Sequence, residues 1–234
     1  GANRDESGWY LKMFGNYFEL DLIVDTAVSF ELSATKVRES MFERNNKWEA
    51  MVPFSTKHVL NTMSLFVVDK LVDEYNFVKK YKEAWKTAPF PPTFVCVDAC
   101  VVQSGHVLVV KRAGFPGNGL WALPGGFLDQ HERLVDGAVR ELQEETDIEL
   151  APAQLYGSIK AENTFDDPGR STRGRTITTC FLFKLQDSKQ LPKVRPQAGE
   201  VSEVVWIPIE EAQRKTEMWY EDHHAMMCTM IDRI

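Results

Sequence analysis

Residues 126–148 read GFLDQHERLVDGAVRELQEETDI, and within them Glu141, Glu144 and Glu145 stand at i, i+3 and i+4. A helix turning by about 100° per residue gathers these three carboxylates within one narrow face. Val135, Ala138, Val139 and Leu142 form a neighbouring apolar stripe that can anchor such a helix to a sheet. Like charges at this spacing repel by roughly a few tenths of a kcal/mol per exposed pair, and by more when partly buried. Four positions beyond the three glutamates stand Glu145, Ile148 and Glu149, so no Lys or Arg relieves the face from that side. Either the face is fully solvated or an external cation sits on it. Oxygen-only ligands favour a hard ion, Mg²⁺ or Mn²⁺, over zinc. Taken alone, three glutamates on a helix are more often a solvated face; the surrounding residues reverse that reading.

The run Gly126-x5-Glu132-x7-Arg140-Glu141-Leu142-x-Glu144-Glu145-x-Asp147-Ile148 resembles the Nudix signature Gx5Ex7REUxEExGU, where U is a bulky aliphatic. Eight of the nine specified positions match over 23 residues. Asp147 is the departure, where the family has a glycine that ends the helix. Asp enters the left-handed conformation less readily than Gly but better than most residues, so a small stability cost and no lost ligand are expected. The resemblance implies glutamates that hold divalent metal, bridge a pyrophosphate and activate a water for attack on phosphorus. Carried over by position, it makes Glu141, Glu144 and Glu145 the catalytic metal ligands and Glu132 a supporting one. Arg140 would orient a glutamate by salt bridge. Gly125 and Gly126 would let the backbone approach the metals and phosphates.

The wider sequence is similar to the ADP-ribose pyrophosphatase branch of that family, on WALPGGF at residues 121–127 and DPGRSTRGR at residues 167–175. That branch commonly carries a Pro-x-Arg-Asp-Pro-Arg-Gly-Arg run; here Ser171 and Thr172 replace Asp-Pro, and three arginines survive. Arg170, Arg173 and Arg175 are either a solvated loop or partners for phosphate and the distal ribose. Glu162, Asp166 and Asp167 are candidates for a general base. The implied reaction is ADP-ribose plus water giving AMP and ribose 5-phosphate, with Mg²⁺ or Mn²⁺. An ADP-ribose sensor is the main rival, although such sensors can lose box glutamates and this chain keeps all of them. A different substrate, an oxidised or ordinary nucleoside triphosphate, NADH or a dinucleoside polyphosphate, is the second.

The expected fold is α/β: a Nudix α/β/α sandwich with a mixed sheet at residues 89–234, preceded by a partial Rossmann-like nucleotidyltransferase region at residues 1–88. Pro89, Pro91 and Pro92 mark the boundary. In the second part, residues 94–102 and 106–111 read as paired strands turning at Ser104-Gly105. Residues 133–146 read as a helix, 176–185 and 201–207 as strands, and 221–234 as a closing helix. In the first part, residues 18–28 have strand-like composition and residues 65–85 a helical pattern. LSATKVR at residues 32–38 resembles the ISxTxxR phosphate-binding motif of nucleotidyltransferases, which would make Ser33, Thr35 and Arg38 a nucleotide-binding remnant; the alternative is a helix cap. With Tyr10 upstream and Tyr81 downstream, the region looks like the latter half of a nicotinamide mononucleotide adenylyltransferase. A bifunctional family fuses that domain to a Nudix domain. The sequence has no HxGH motif, so NAD synthesis by this chain is not expected.

Composition agrees with this reading. At 44% apolar and 26% charged residues the chain can bury a substantial core. A formal charge of −7 argues against a nucleic-acid surface, yet a metal ion can reconcile an acidic site with one anionic nucleotide. Cys96, Cys100, Cys180 and Cys228 form no CxxC pair or zinc pattern, which points to reduced thiols in a cytoplasmic protein. No apolar run is long enough to span a bilayer. If the first region serves only as a scaffold, a homodimer is one role for it.

Overall fold

Ser33 is extended and its hydroxyl accepts the Lys36 N–H at 3.1 Å, so it caps helix α1 (Ala34–Phe42) in the ordinary way. The computed structural model describes residues 33–63, 65–197 and 199–233, and the chain falls into two units divided after Val68. In the first unit α1 is followed by a 3-10 turn (Asn46–Ala50) and by α2 (Phe54–Asn61). Trp48 of the turn is buried, and its N–H donates to Ser40 Oγ at 2.9 Å. Helix α3 (Leu65–Ala84) realises the pattern read at 65–85 and runs across the division. The strand-like segment at 18–28, with the Rossmann-like character it would bring, lies outside the described residues.

In the second unit, β1 (Thr93–Gln103) reverses into β2 (His106–Arg112) through Ser104 and Gly105, at φ 47° and 74°. Two successive positive φ values match the right-handed twist of a two-residue hairpin, which is why a glycine stands in the turn. Two short strands, β3 (Trp121–Ala122) and β4 (Gly125–Phe127), pair with β2 and β1. The box forms helix α4 (Leu134–Thr146). Then come α5 (Pro152–Ser158), β5 (Ile159–Phe165) and β6 (Arg175–Lys184), followed by β7 (Val201–Pro208), α6 (Ile209–Arg214) and α7 (His223–Ile231). Among the described residues the sheet has seven strands in the order β3-β2-β1-β6-β5, with β4 on β1 and β7 on β2. Only the β1–β6 ladder is parallel among these pairs, so the sheet is mixed as expected.

Side-chain alternation on β1 explains the layers. Val97, Ala99 and Val101 face Ala138, Val139 and Leu142 of α4 and Leu155 of α5. Cys100 and Val102 face the opposite side, with Ala212 of α6 and Met226, Met227 and Met230 of α7. A strand buried on both faces reads as a continuous apolar run, as residues 94–102 do. The elements α5, β5 and α6 go beyond the sequence reading. Cys96, Cys100 and Cys180 are buried free thiols, and Cys228 is half-buried. Among the described residues no helix is long and apolar enough to cross a membrane.

Candidate active site

Helix α4 delivers the glutamates because its apolar stripe is fixed to the sheet. Its far end is closed by Asp147 at φ 41° and ψ 41°, the left-handed position where the family pattern has glycine. Asp147 takes it without losing the cap, since its N–H donates to Gln143 O at 2.9 Å. Its carboxylate pairs with Arg195 at 2.6 Å.

Arg140 organises three of the four box glutamates. Its guanidinium donates to both oxygens of Glu132 at 2.6 and 3.0 Å, to Glu141 at 2.8 Å and to Glu144 at 2.9 Å. A fifth contact reaches the Phe127 carbonyl at 3.2 Å. Relief for the acidic face therefore comes from the residue ahead of it in the chain. The Arg140 hydrogen bonds hold the Glu132 carboxyl below its usual range. Glu141 is only 12% exposed, and burial outweighs Arg140 to push its pKa up.

Glu145 is set apart from that fork. Its carboxylate accepts the Gly125 N–H at 3.0 Å, and burial pushes its pKa to about 8. Close approach requires glycine at 125, where a Cβ would meet backbone, and at 126 it sets the backbone against the Glu141 carboxylate. A Cβ at Gly125 would stand 2.3 Å from the Val97 carbonyl, and one at Gly126 would stand 2.5 Å from Glu141 Oε1. The bare backbone of β4 thus lies directly on the acid oxygens.

These groups border a cleft of about 560 Å³, within the range of small-molecule sites. Glu141, Glu145, Arg140, Gly125 and Gly126 line it; Glu132 and Glu144 do not. Among the described residues no three acidic, His or Cys side chains converge as metal ligands, and Arg140 is bonded to Glu132, Glu141 and Glu144. The donor chemistry nevertheless fits a hard divalent ion. Burial outweighs the neighbouring arginines in raising the pKa values of Glu141 and Glu145, the donors are all oxygen, and glycine backbone leaves the adjoining space clear.

The three downstream arginines separate. Arg170 lines the cleft, but its side chain is 5% exposed and forked onto Asp222 at 2.8 and 2.9 Å, so its charge is already neutralised. Arg173 also lines the cleft; its guanidinium lies 5.1 Å over the Phe127 ring and its buried Nε has no hydrogen-bond partner. Arg175 donates to the Asp166 carbonyl and is not part of the cleft. Nor are Glu162, Asp166 and Asp167, all of them exposed, so the general-base candidates read from the sequence are not brought to the site.

Other residues line the cleft that the motifs did not reveal. Asp98 is buried on β1, accepts the Thr178 hydroxyl at 2.5 Å, and is pushed by burial to about 7. One acid in the apolar run of β1 was the available signal. His223 is buried, its Nδ1 accepts the Leu123 N–H at 3.1 Å, and burial lowers its pKa to about 3. It is therefore neutral at ordinary pH. Arg112 donates to the Pro116 carbonyl at 2.8 Å and lies 4.4 Å over the Tyr220 ring. In the first unit, Ser33 caps its helix and Arg38 reaches Thr35 Oγ1 at 3.5 Å.

Comparison with known proteins agrees with this geometry. The model for the NUDIX domain matches residues 92–228. The chain belongs to the Nudix family. This Nudix chain is 34% identical to a bifunctional NMN adenylyltransferase/ADP ribose pyrophosphatase of Francisella tularensis, solved as a complex with AMP and a manganese ion. That match has a TM-score of 0.79 and covers 97% of this chain and 67% of the other. It is 33% identical over 89 residues to the ADP-ribose pyrophosphatase of Methanocaldococcus jannaschii, covering 38% of this chain and 49% of that one. It is also 31% identical over 160 residues to the ADPR responsive transcriptional repressor NtrR of Acinetobacter baylyi, covering 66% and 58%. The Nudix chain thus spans about half the length of these curated relatives. Within that family it is similar both to proteins named as ADP-ribose pyrophosphatases and to one named as an ADPR responsive repressor.

Proposed function

We propose that the chain hydrolyses the pyrophosphate of ADP-ribose to AMP and ribose 5-phosphate, with Mg²⁺ or Mn²⁺, as part of NAD metabolism. The observation that carries this is the pair of half-buried carboxylates, Glu141 and Glu145, lying on the bare backbone of Gly125 and Gly126 inside a cleft that also holds Arg173. Glu141 and Glu145 would hold the ion, and Glu132 and Glu144 would reach it by leaving Arg140. When bound, the metal supplies charge neutralisation at the pyrophosphate and a more acidic water. Arg140 keeps Glu141 in place, and Arg173 offers an unpaired donor to a phosphate oxygen. Arg170 serves as a wall group held by Asp222, and Arg175 as a support of the loop. Asp98, above its usual range beside the cleft, is a better general-base candidate than the exposed acids of 162–167.

The relatives support the substrate. The Francisella protein was solved with AMP, the proposed product, and the Methanocaldococcus relative bears the name of the proposed activity. The same likeness supports reading residues 1–88 as adenylyltransferase-derived and 89–234 as the Nudix domain, with Ser33, Thr35 and Arg38 the remnant of a nucleotide site. A second reading, an ADP-ribose sensor, is favoured by the likeness to the repressor NtrR.

Incubation with ADP-ribose, NADH and nucleoside triphosphates, with Mg²⁺ or Mn²⁺ and then with chelator, tests the proposal. AMP release is expected to be fastest from ADP-ribose and to stop with chelator. Preferential turnover of NADH or a triphosphate would discard the ADP-ribose assignment and keep the Nudix chemistry.

A further inference from the structure

The cleft has an aromatic rim that the hydrolytic residues do not use. Phe77 and Tyr81 stand four apart on α3, so one face of the helix presents both rings; their centroids are 6.3 Å apart and their planes 25° from parallel. Both line the cleft, as do Phe115 and Phe127. The rings form a continuous series. Phe77 lies 6.4 Å from Phe115, Tyr81 lies 5.7 Å from Phe94, and Phe94 lies 5.8 Å from Phe127. They are not core residues: Phe77 is 36% exposed and Phe127 41%. Large rings left open at the mouth of a polar cleft are a surface seeking a flat apolar ligand.

The helix is also fixed to the cleft by polar contacts. Glu74 accepts the Gly117 N–H at 2.8 Å, and Lys70 Nζ donates to the Asn118 carbonyl at 2.7 Å. The loop so held contains Phe115, and Gly117 and Gly119 take φ of 82° and 80°. About three turns of α3, from Lys70 to Tyr81, therefore position the loop and present the rings together. The α3 residues Lys70, Glu74, Phe77 and Tyr81 precede the 92–228 stretch matched by the family model.

We propose that Phe77 and Tyr81 of α3 are the stacking surface for the purine base of the substrate, making α3 a specificity element of the hydrolytic cleft. This rests on the reading of the substrate as a purine nucleoside diphosphate compound. Stacking on the rings places the base at the rim and leaves the pyrophosphate for the carboxylates and Arg173. A flat base meets a ring by face contact without hydrogen-bond readout, so the surface selects for an aromatic base over a plain sugar phosphate.

The test is calorimetric binding of AMP and of ribose 5-phosphate to the full chain, with ADP-ribose kinetics alongside. The variants are Phe77→Ala, Tyr81→Ala and Phe77→Trp, each checked by thermal melting. Loss of one stacking ring is expected to weaken AMP binding by about fivefold to a hundredfold and to leave ribose 5-phosphate binding unchanged. KM for ADP-ribose should rise by more than kcat falls, and Phe77→Trp should bind AMP as the original chain does. Unchanged AMP affinity in both alanine variants overturns the proposal, as does failure of the unaltered chain to bind AMP. Equal losses for AMP and ribose 5-phosphate, unrescued by Trp, overturn it too and assign the rings to packing. Stacking losses in a chain that does not cleave ADP-ribose uphold the inference and overturn only the hydrolytic reading.

Discussion

Glu145 accepts the Gly125 N–H from a half-buried position, and this single residue carries two predictions. First, Glu145→Gln keeps the shape and can still accept that N–H, but removes the charge. Turnover of ADP-ribose should fall by orders of magnitude while the melting temperature in chelator is kept or raised; near-normal turnover at saturating metal would remove Glu145 from the ligand set. Second, the folded chain holds its proton up to about pH 8, whereas an unfolded chain releases it near 4.5. Across that window the unfolded state binds fewer protons, so metal-free stability falls as pH rises and levels off above it. Melting curves in chelator from about pH 5 to about pH 8.5 should show this decline in the original chain and a shallower one in Glu145→Gln. Parallel curves would contradict the burial of the carboxylate. At this scale the sequence was informative where a motif fixed the spacing: Arg140 is bonded to box glutamates, and Gly125 and Gly126 lie against the carboxylates. Asp98 and His223 escaped it because they come together through the β1–β6 ladder and the distant α7, which no local pattern records.

At the scale of elements, α4 shows how an apolar stripe makes an acidic face usable. Leu142 is fully buried against the sheet, which turns Glu141 and Glu145 into the cleft and leaves Glu144 exposed. The three-glutamate face was thus legible as a face, but its division between the cleft and the Arg140 fork was not. The helix end adds a prediction. Asp147 occupies a left-handed conformation that glycine adopts without penalty, and its ion pair with Arg195 is solvent-screened. Asp147→Gly should raise stability by about 1 kcal/mol or less in denaturant unfolding; a clear loss would give the Arg195 pair a larger role. Element boundaries read from periodicity hold to within a few residues for β1, β2, α4, β6 and β7, where the pattern is long. Strand β5 was harder to read because alternate residues are half-buried and exposed, and its polar content resembles a loop. That same geometry keeps Glu162 out of the cleft.

For the whole molecule, a formal charge of −7 is compatible with the proposed nucleotide chemistry because a cation bound in the cleft would offset both its carboxylates and an anionic substrate. The cleft carries Asp98, Glu141 and Glu145 beside Arg112 and Arg173, with aromatic rings at its rim. Two apolar layers on either side of the mixed sheet hold those groups in place. That architecture was legible in advance, because strand runs, turn residues and the box helix each pointed to the same fold. The most direct measurement is product analysis after ADP-ribose is incubated with the purified chain and Mg²⁺. AMP and ribose 5-phosphate should appear in equal amounts and vanish with chelator, whereas ADP-ribose recovered intact from a chain that demonstrably binds it would contradict hydrolysis and make the molecule a sensor.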